Sequence, residues 1–208
     1  MTPRRTTLCR LVVAAGLGAS LALASGCAST AGSPSLFVLN AGPGAPDSAP
    51  RPGAPTLTIA PVSTASYLND GGIVYQTGPH RVVIANDNRW ASSLSSQLTD
   101  DLYTVLRRRL SGVNVVRTGG GPQGRYRLQT HVDQFLGRYD GKAHIAGRWT
   151  LVGPDGATLA GRAFNQAVPL KTDGYPALVK SLSRGWQTVG RSVASTLAGV
   201  LRPAPPGS

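Results

Sequence analysis

Two stretches of this chain repeat apolar residues three and four apart, and each must bury one side of a helix. Trp90, Leu94, Leu98, Leu102, Val105, Leu106 and Leu110 form the first stripe. Leu178, Leu182, Trp186, Val189, Val193, Leu197 and Val200 form the second. The spacing predicts helices over Arg89–Leu110 and Pro176–Leu201, with Gly112 past the first and Pro176 in the first turn of the second. Asp100 and Asp101 fall mid-helix and read as a solvated face. Arg107, Arg108 and Arg109 in the last turns suit the helix dipole.

The remaining pattern is that of strands. Leu36–Leu39, Thr56–Val62, Gly72–Thr77, Arg81–Ala85 and Val113–Arg117 are short apolar runs bounded by Gly, Pro or polar residues. From Arg125 to Phe135 the chain alternates: Tyr126, Leu128, Thr130 and Val132 point one way, and Arg127, Gln129, His131 and Asp133 the other. Ala143–Val152 and Thr158–Val168 form a hairpin around Pro154-Asp155-Gly156. Helices with one apolar stripe and strands with one apolar face are satisfied together by a two-layer α+β fold. The expected architecture is an α/β sandwich: one mixed, largely antiparallel sheet with both long helices on one face.

The N-terminus sets the compartment. Arg4, Arg5 and Arg10 precede thirteen uncharged residues, Leu11–Leu23, too few to span a bilayer as a helix. Leu21-Ala22-Leu23-Ala24-Ser25-Gly26-Cys27 then reads as a lipoprotein signal, with residues 1–26 removed and lipid attached at Cys27. The other cysteine, Cys9, is discarded with the signal, so the mature chain has no internal disulfide. Residues 27–35 are the lipidated N-terminus and a tether reaching less than about 30 Å. Residues 36–202 form the domain, and 203–208 a disordered tail. The mature chain keeps eighteen basic residues against nine acids, all Asp, a net +9. Such a surface suits anionic lipid or an acidic partner, and the exported address argues against nucleic acid. Ala28 after the cysteine points to the outer membrane, on its periplasmic side, rather than the inner.

Chemistry-bearing motifs are scarce. Gly119-Gly120-Gly121-Pro122-Gln123-Gly124 matches a phosphate-loop spacing, but Pro122 and the following strand deny it a helix N-terminus; it reads as a mobile turn. His80, His131 and His144 lack metal-ligand spacing and read as surface histidines, so neither a metal nor a cofactor is expected. No nucleophile elbow or Cys–His pair provides a catalytic residue. In the simple register Arg125, Arg127, His131, His144, Arg148 and Arg162 share one side of the sheet. That side reads either as a soluble face blunted against edge pairing or as a docking surface. Trp149 and Phe164 fit core or interface.

Tyr67-Leu68-Asn69-Asp70-Gly71-Gly72-Ile73-Val74-Tyr75, followed by Asn88-Arg89-Trp90-Ala91 and the leucine-spaced helix, resembles the ABC-type transport auxiliary lipoproteins of the paraquat-inducible protein C type. The resemblance covers roughly residues 36–200. Leu36-Phe37-Val38-Leu39 matches that family's first strand, whereas Gly71-Gly72 departs from its usual Arg and Pro. The resemblance implies a non-catalytic outer-membrane lipoprotein. It would serve an MCE-type system that moves phospholipids between membranes, as a homo-oligomer receiving the periplasmic MCE component. On that reading Tyr67, Leu68, Ile73, Tyr75, Arg89 and Trp90 contact the partner or another copy, although Trp90 also fits the core. The alternative is a periplasmic regulatory lipoprotein activating a cell-wall synthase or other envelope enzyme. A fatty-acid probe should label the mature protein, and Cys27→Ala should abolish the label; an equally labelled variant contradicts the anchor.

Overall fold

The computed structural model describes residues 33–40, 52–117 and 125–201. Cys27, the glycine run Gly119–Gly124 and the tail from Pro203 lie outside them. The described chain runs through β1 (Ser35–Phe37), β2 (Thr56–Ile59), β3 (Ser63–Thr64), a 3-10 turn at Ser66–Leu68, β4 (Gly72–Gly78) and β5 (Arg81–Trp90). Helix α1 (Leu94–Arg109) follows, then β6 (Asn114–Arg117), β7 (Tyr126–Arg138), β8 (Lys142–Val152), β9 (Thr158–Pro169) and helix α2 (Tyr175–Val200). The result is a mixed, curled sheet of nine strands with two helices packed on it, as the apolar patterning requires.

Strand β7 organises the sheet. One edge pairs antiparallel with β8, which pairs antiparallel with β9. The other edge takes three parallel partners in succession: β2 at Tyr126–Leu128, β3 at His131–Val132 and β4 at Gly137–Arg138. Strand β6 extends the sheet beyond β2, while β5 and then β1 extend it beyond β4. A register shift between Val132 and Gln134 inserts Asp133 as a β-bulge. Strict alternation would point Phe135 outward with Asp133. The bulge turns it inward, where it is 1% exposed.

Phe135 then lies at the centre of an aromatic cluster. Its ring centroid is 6.0 Å from that of Trp90 and 6.4 Å from that of Trp186 in α2, the latter edge-on. Phe164 of β9 meets Trp186 at 6.0 Å. Each such pair contributes about 0.5–1.5 kcal/mol beyond area burial. The Trp186 indole N–H donates to the Leu98 carbonyl of α1 at 3.1 Å, joining the two helices over the sheet. Trp149 is buried and Phe164 half-buried, so both belong to the core.

The helix boundaries correct the sequence reading. Arg89 and Trp90 end β5 rather than begin α1. The Trp90 N–H donates to Gly71 O at 2.7 Å and the Ala91 N–H to Phe37 O at 2.9 Å. Ser93 caps α1, its Oγ accepting from the Ser96 N–H at 3.2 Å. Trp90 still joins the α1 stripe in the core, which is why periodicity placed it in the helix. At the end of α2, Val200 is exposed, and Leu201 is buried in its place.

Asp100 is solvated and pairs with Arg117. Asp101 is not part of a solvated face: it is 3% exposed and its Oδ2 has no hydrogen-bond partner. Burial, aided by the Asp100 carboxylate and opposed by Arg108, pushes its pKa up from 3.8 to about 6. A carboxyl raised on folding favours the native state below its unfolded pKa and loses that contribution as pH rises through the folded value. Asp101→Asn should therefore stabilise the protein at pH 7.5, by about 1–2 kcal/mol after solvent screening, and have little effect at pH 4. Urea titrations at the two pH values check this.

Candidate functional site

The block from Tyr67 to Trp90 folds against the far half of β7. Tyr67 stands in the 3-10 turn, and its hydroxyl donates to the Asp133 carbonyl at 2.7 Å. A bulge leaves its extra residue outside the ladder, and this bond supplies the bulged residue's carbonyl with a partner. Burial, with the Asp133 carboxylate nearby, pushes the Tyr67 phenol pKa up. Five residues further along β7, Tyr75 donates to the Arg138 carbonyl at 2.9 Å. The side chains of Leu68, Ile73 and Trp90 lie inside the protomer at 2%, 0% and 6% exposure. Arg89 reaches back to donate to Asp70 O at 2.9 Å.

The Gly71-Gly72 pair has a local cause. Gly71 adopts φ +78°, in the left-handed region that side chains disfavour. A Cβ on Gly72 would sit 2.3 Å from Ala85 O across the β4–β5 ladder. The tight entry into β4 depends on both glycines.

On the outer face of the sheet the bulge gathers a second group. Ser63 Oγ lies 2.8 Å from His131 Nδ1, and His131 Nε2 lies 3.2 Å from Asp133 Oδ1, which Arg148 approaches at 3.5 Å. Ser63, His131 and Arg148 border an open groove of about 390 Å³ that also includes Gln129 and Thr150. Sequence alone did not join Ser63 to His131, because the bulge and the β3–β7 pairing that bring them together leave no periodic signal. The order Ser–His–Asp resembles a nucleophile relay, but acyl transfer also needs free N–H donors converging beside the nucleophile. The flanking N–H groups of Ala60, Val62 and Ala65 are spent on Leu128 O, Thr99 Oγ1 and Val132 O. The geometry suits polar recognition by groups of both signs.

The expected basic face is only partly assembled. Arg127, His131 and Arg148 share the outer face, with Arg148 opposite His131. Arg162 pairs with Trp149 and so lies on the helix side, because β9 joins β8 one residue out of the simple register. His144 is no surface histidine: it is 9% exposed, with Nε2 3.0 Å from Asp140 Oδ2. Desolvation pushes the Asp140 pKa up, but the His144 hydrogen bond and charge, with the Lys142 N–H and Arg138, together hold it below the usual value. No group of three His, Cys, Asp or Glu among the described residues is arranged to hold a metal ion.

Tyr67→Phe removes a hydroxyl from the bulge while keeping the ring. It should cost about 1 kcal/mol, the net contribution of a part-buried hydrogen bond. A urea midpoint equal to that of the wild type would contradict the role given to this bond.

The fold recurs in known proteins. The sequence pattern of the ABC-type transport auxiliary lipoprotein component matches residues 37–194. The intermembrane transport lipoprotein PqiC of Escherichia coli K12 is 36% identical over 141 residues, covering 68% of this chain and 74% of that protein. The crystal structure of an uncharacterized protein superposes with a TM-score of 0.70 at 31% identity, over 80% of this chain and 99% of that one. A protein from Xanthomonas campestris shares the fold, with a TM-score of 0.62 at 19% identity, over 80% of this chain and 97% of that one. The chain belongs to the ABC-type transport auxiliary lipoprotein family.

Proposed function

We propose that this protein is an outer-membrane lipoprotein held by acyl chains on Cys27. Its role would be to dock the periplasmic MCE component of an ABC-type intermembrane lipid transport system and so support envelope integrity. The observation that carries this reading is the 36% identity to an intermembrane transport lipoprotein over 141 residues. No helix among the described residues is long and apolar enough to cross a membrane. The lipid on Cys27 supplies the attachment, at ~0.8 kcal/mol per buried CH₂. Ala28 supports the outer membrane as its address.

The role is one of surfaces rather than reaction. Tyr67, Tyr75 and Arg89 are partly exposed and offer contact to the MCE component or to another copy of this chain, as a homo-oligomer. Leu68, Ile73 and Trp90 shape that surface from beneath. The excess of arginine over aspartate favours an acidic partner, with encounter rates that fall as salt rises.

Cross-linking in cells, followed by capture of the tagged lipoprotein from detergent extracts, should recover an MCE-domain protein together with self-oligomers. Recovery of neither would contradict the docking role. Fractionation of the envelope should place the protein with outer-membrane markers.

A further inference from the structure

A groove separate from the sheet-face cluster lies where the chain enters the domain. It holds about 500 Å³ between Phe37, Val38 and Asn40 on one side and Pro176, Val179, Lys180, Ser183, Arg184 and Gln187 of α2 on the other. Its floor is apolar and its rim cationic. Leu36 and Val38 are each 63% exposed, the most open large apolar side chains among the described residues. Lys180 and Arg184 have no acidic partner among those residues.

The entering segment is fixed in place. The Leu39 N–H donates to Gln97 Oε1 of α1 at 2.7 Å, and the Asn40 N–H donates to Ser183 Oγ of α2 at 3.4 Å. Gln187 Nε2 donates to Asn40 O. The exposed apolar pair is therefore presented by both helices rather than left on a loose end.

We infer that this face rests on the anionic phospholipid headgroups of the membrane that holds the anchor. Leu36 and Val38 enter the interface, and Lys180 and Arg184 meet lipid phosphates. The inference relies on the lipid at Cys27 given under the proposed function. Seven residues lie between Cys27 and Ser35, so covalent geometry keeps β1 within about 30 Å of the bilayer surface. An exposed apolar pair flanked by cations without an acidic partner among the described residues, at the point where the tether joins the domain, complements an anionic lipid surface. Two cations beside an anionic leaflet favour contact by about thirtyfold over uncharged lipid. This contact would orient the domain, leaving the sheet-face groove and the β8–β9 turn free for a partner.

The test uses the full lipidated protein in vesicles. The thiol of Cys27 is acylated, so a nitroxide on Val38→Cys is the sole label. The control is Asp155→Cys at the β8–β9 turn, about 33 Å of strand away from the Lys142 end of the hairpin that packs near the start of α2. In phosphatidylcholine vesicles containing phosphatidylglycerol, the Val38 label should be at least about threefold less accessible to an aqueous nickel chelate than the control. Lys180→Glu with Arg184→Glu, or phosphatidylcholine alone, should remove the difference. Equal accessibility in anionic vesicles overturns the inference while leaving the anchor intact. Failure of the wild-type protein to float with vesicles overturns the anchor, and with it this inference. Shielding already present in detergent, before vesicles are added, would likewise overturn it.

Discussion

The bulge at Asp133 is the constraint on which the rest of the structure depends. It lets a single strand serve three parallel partners on one edge and a long antiparallel partner on the other. By adding one residue it reverses which side chains face the helices, and Phe135 enters the core instead of solvent. Trp90 and Trp186 pack on that ring, and Trp186 bonds to the backbone of α1. Tyr67 caps the carbonyl of the bulged residue. The Asp133 carboxylate, turned outward, draws in His131 and Arg148. One inserted residue thereby connects the core, the Tyr67–Trp90 block and the outer-face groove.

Much of this was legible in the sequence because it depends on period. Helix α2 and the β8–β9 hairpin are set by apolar spacing and by Pro154-Asp155-Gly156, and both fall within a residue or two of expectation. The two-layer α+β arrangement follows from the need to bury both stripes. The start of α1 was obscured because Trp90 satisfies the helical spacing while its backbone pairs as a strand. The bulge was hidden because alternation reads correctly up to Val132, and nothing local marks the extra residue. Asp101 looked solvated because charged residues are seldom buried, although it stands three after Leu98 and four before Val105, on the apolar stripe of α1.

The candidate site was less legible, because contact across the sheet is not written in spacing. The resemblance singled out Tyr67, Leu68, Ile73, Tyr75, Arg89 and Trp90 as a set. The structure shows what each touches within the protomer: carbonyls of β7, the core, or the Asp70 carbonyl. Residues that hold a strand in place also determine the surface above it. The groove at Ser63, His131 and Arg148 depended on pairing between β3 and β7, separated by more than sixty residues. Membership of a transport auxiliary lipoprotein family fits a molecule whose Tyr67–Trp90 block and outer-face groove hold their polar groups in hydrogen bonds and ion pairs.

If the bulge joins the two halves of β7 into one cooperative unit, opening either half must break both. Native-state hydrogen exchange on the intact protein reads this directly. The account predicts that the amides of β7 on both sides of Asp133, from Leu128 to Arg138, exchange as slowly as those of Ile145 to Leu151 in β8, and with the same denaturant dependence. Fast exchange confined to residues 134–138, through a separate opening that leaves 128–132 protected, would contradict it.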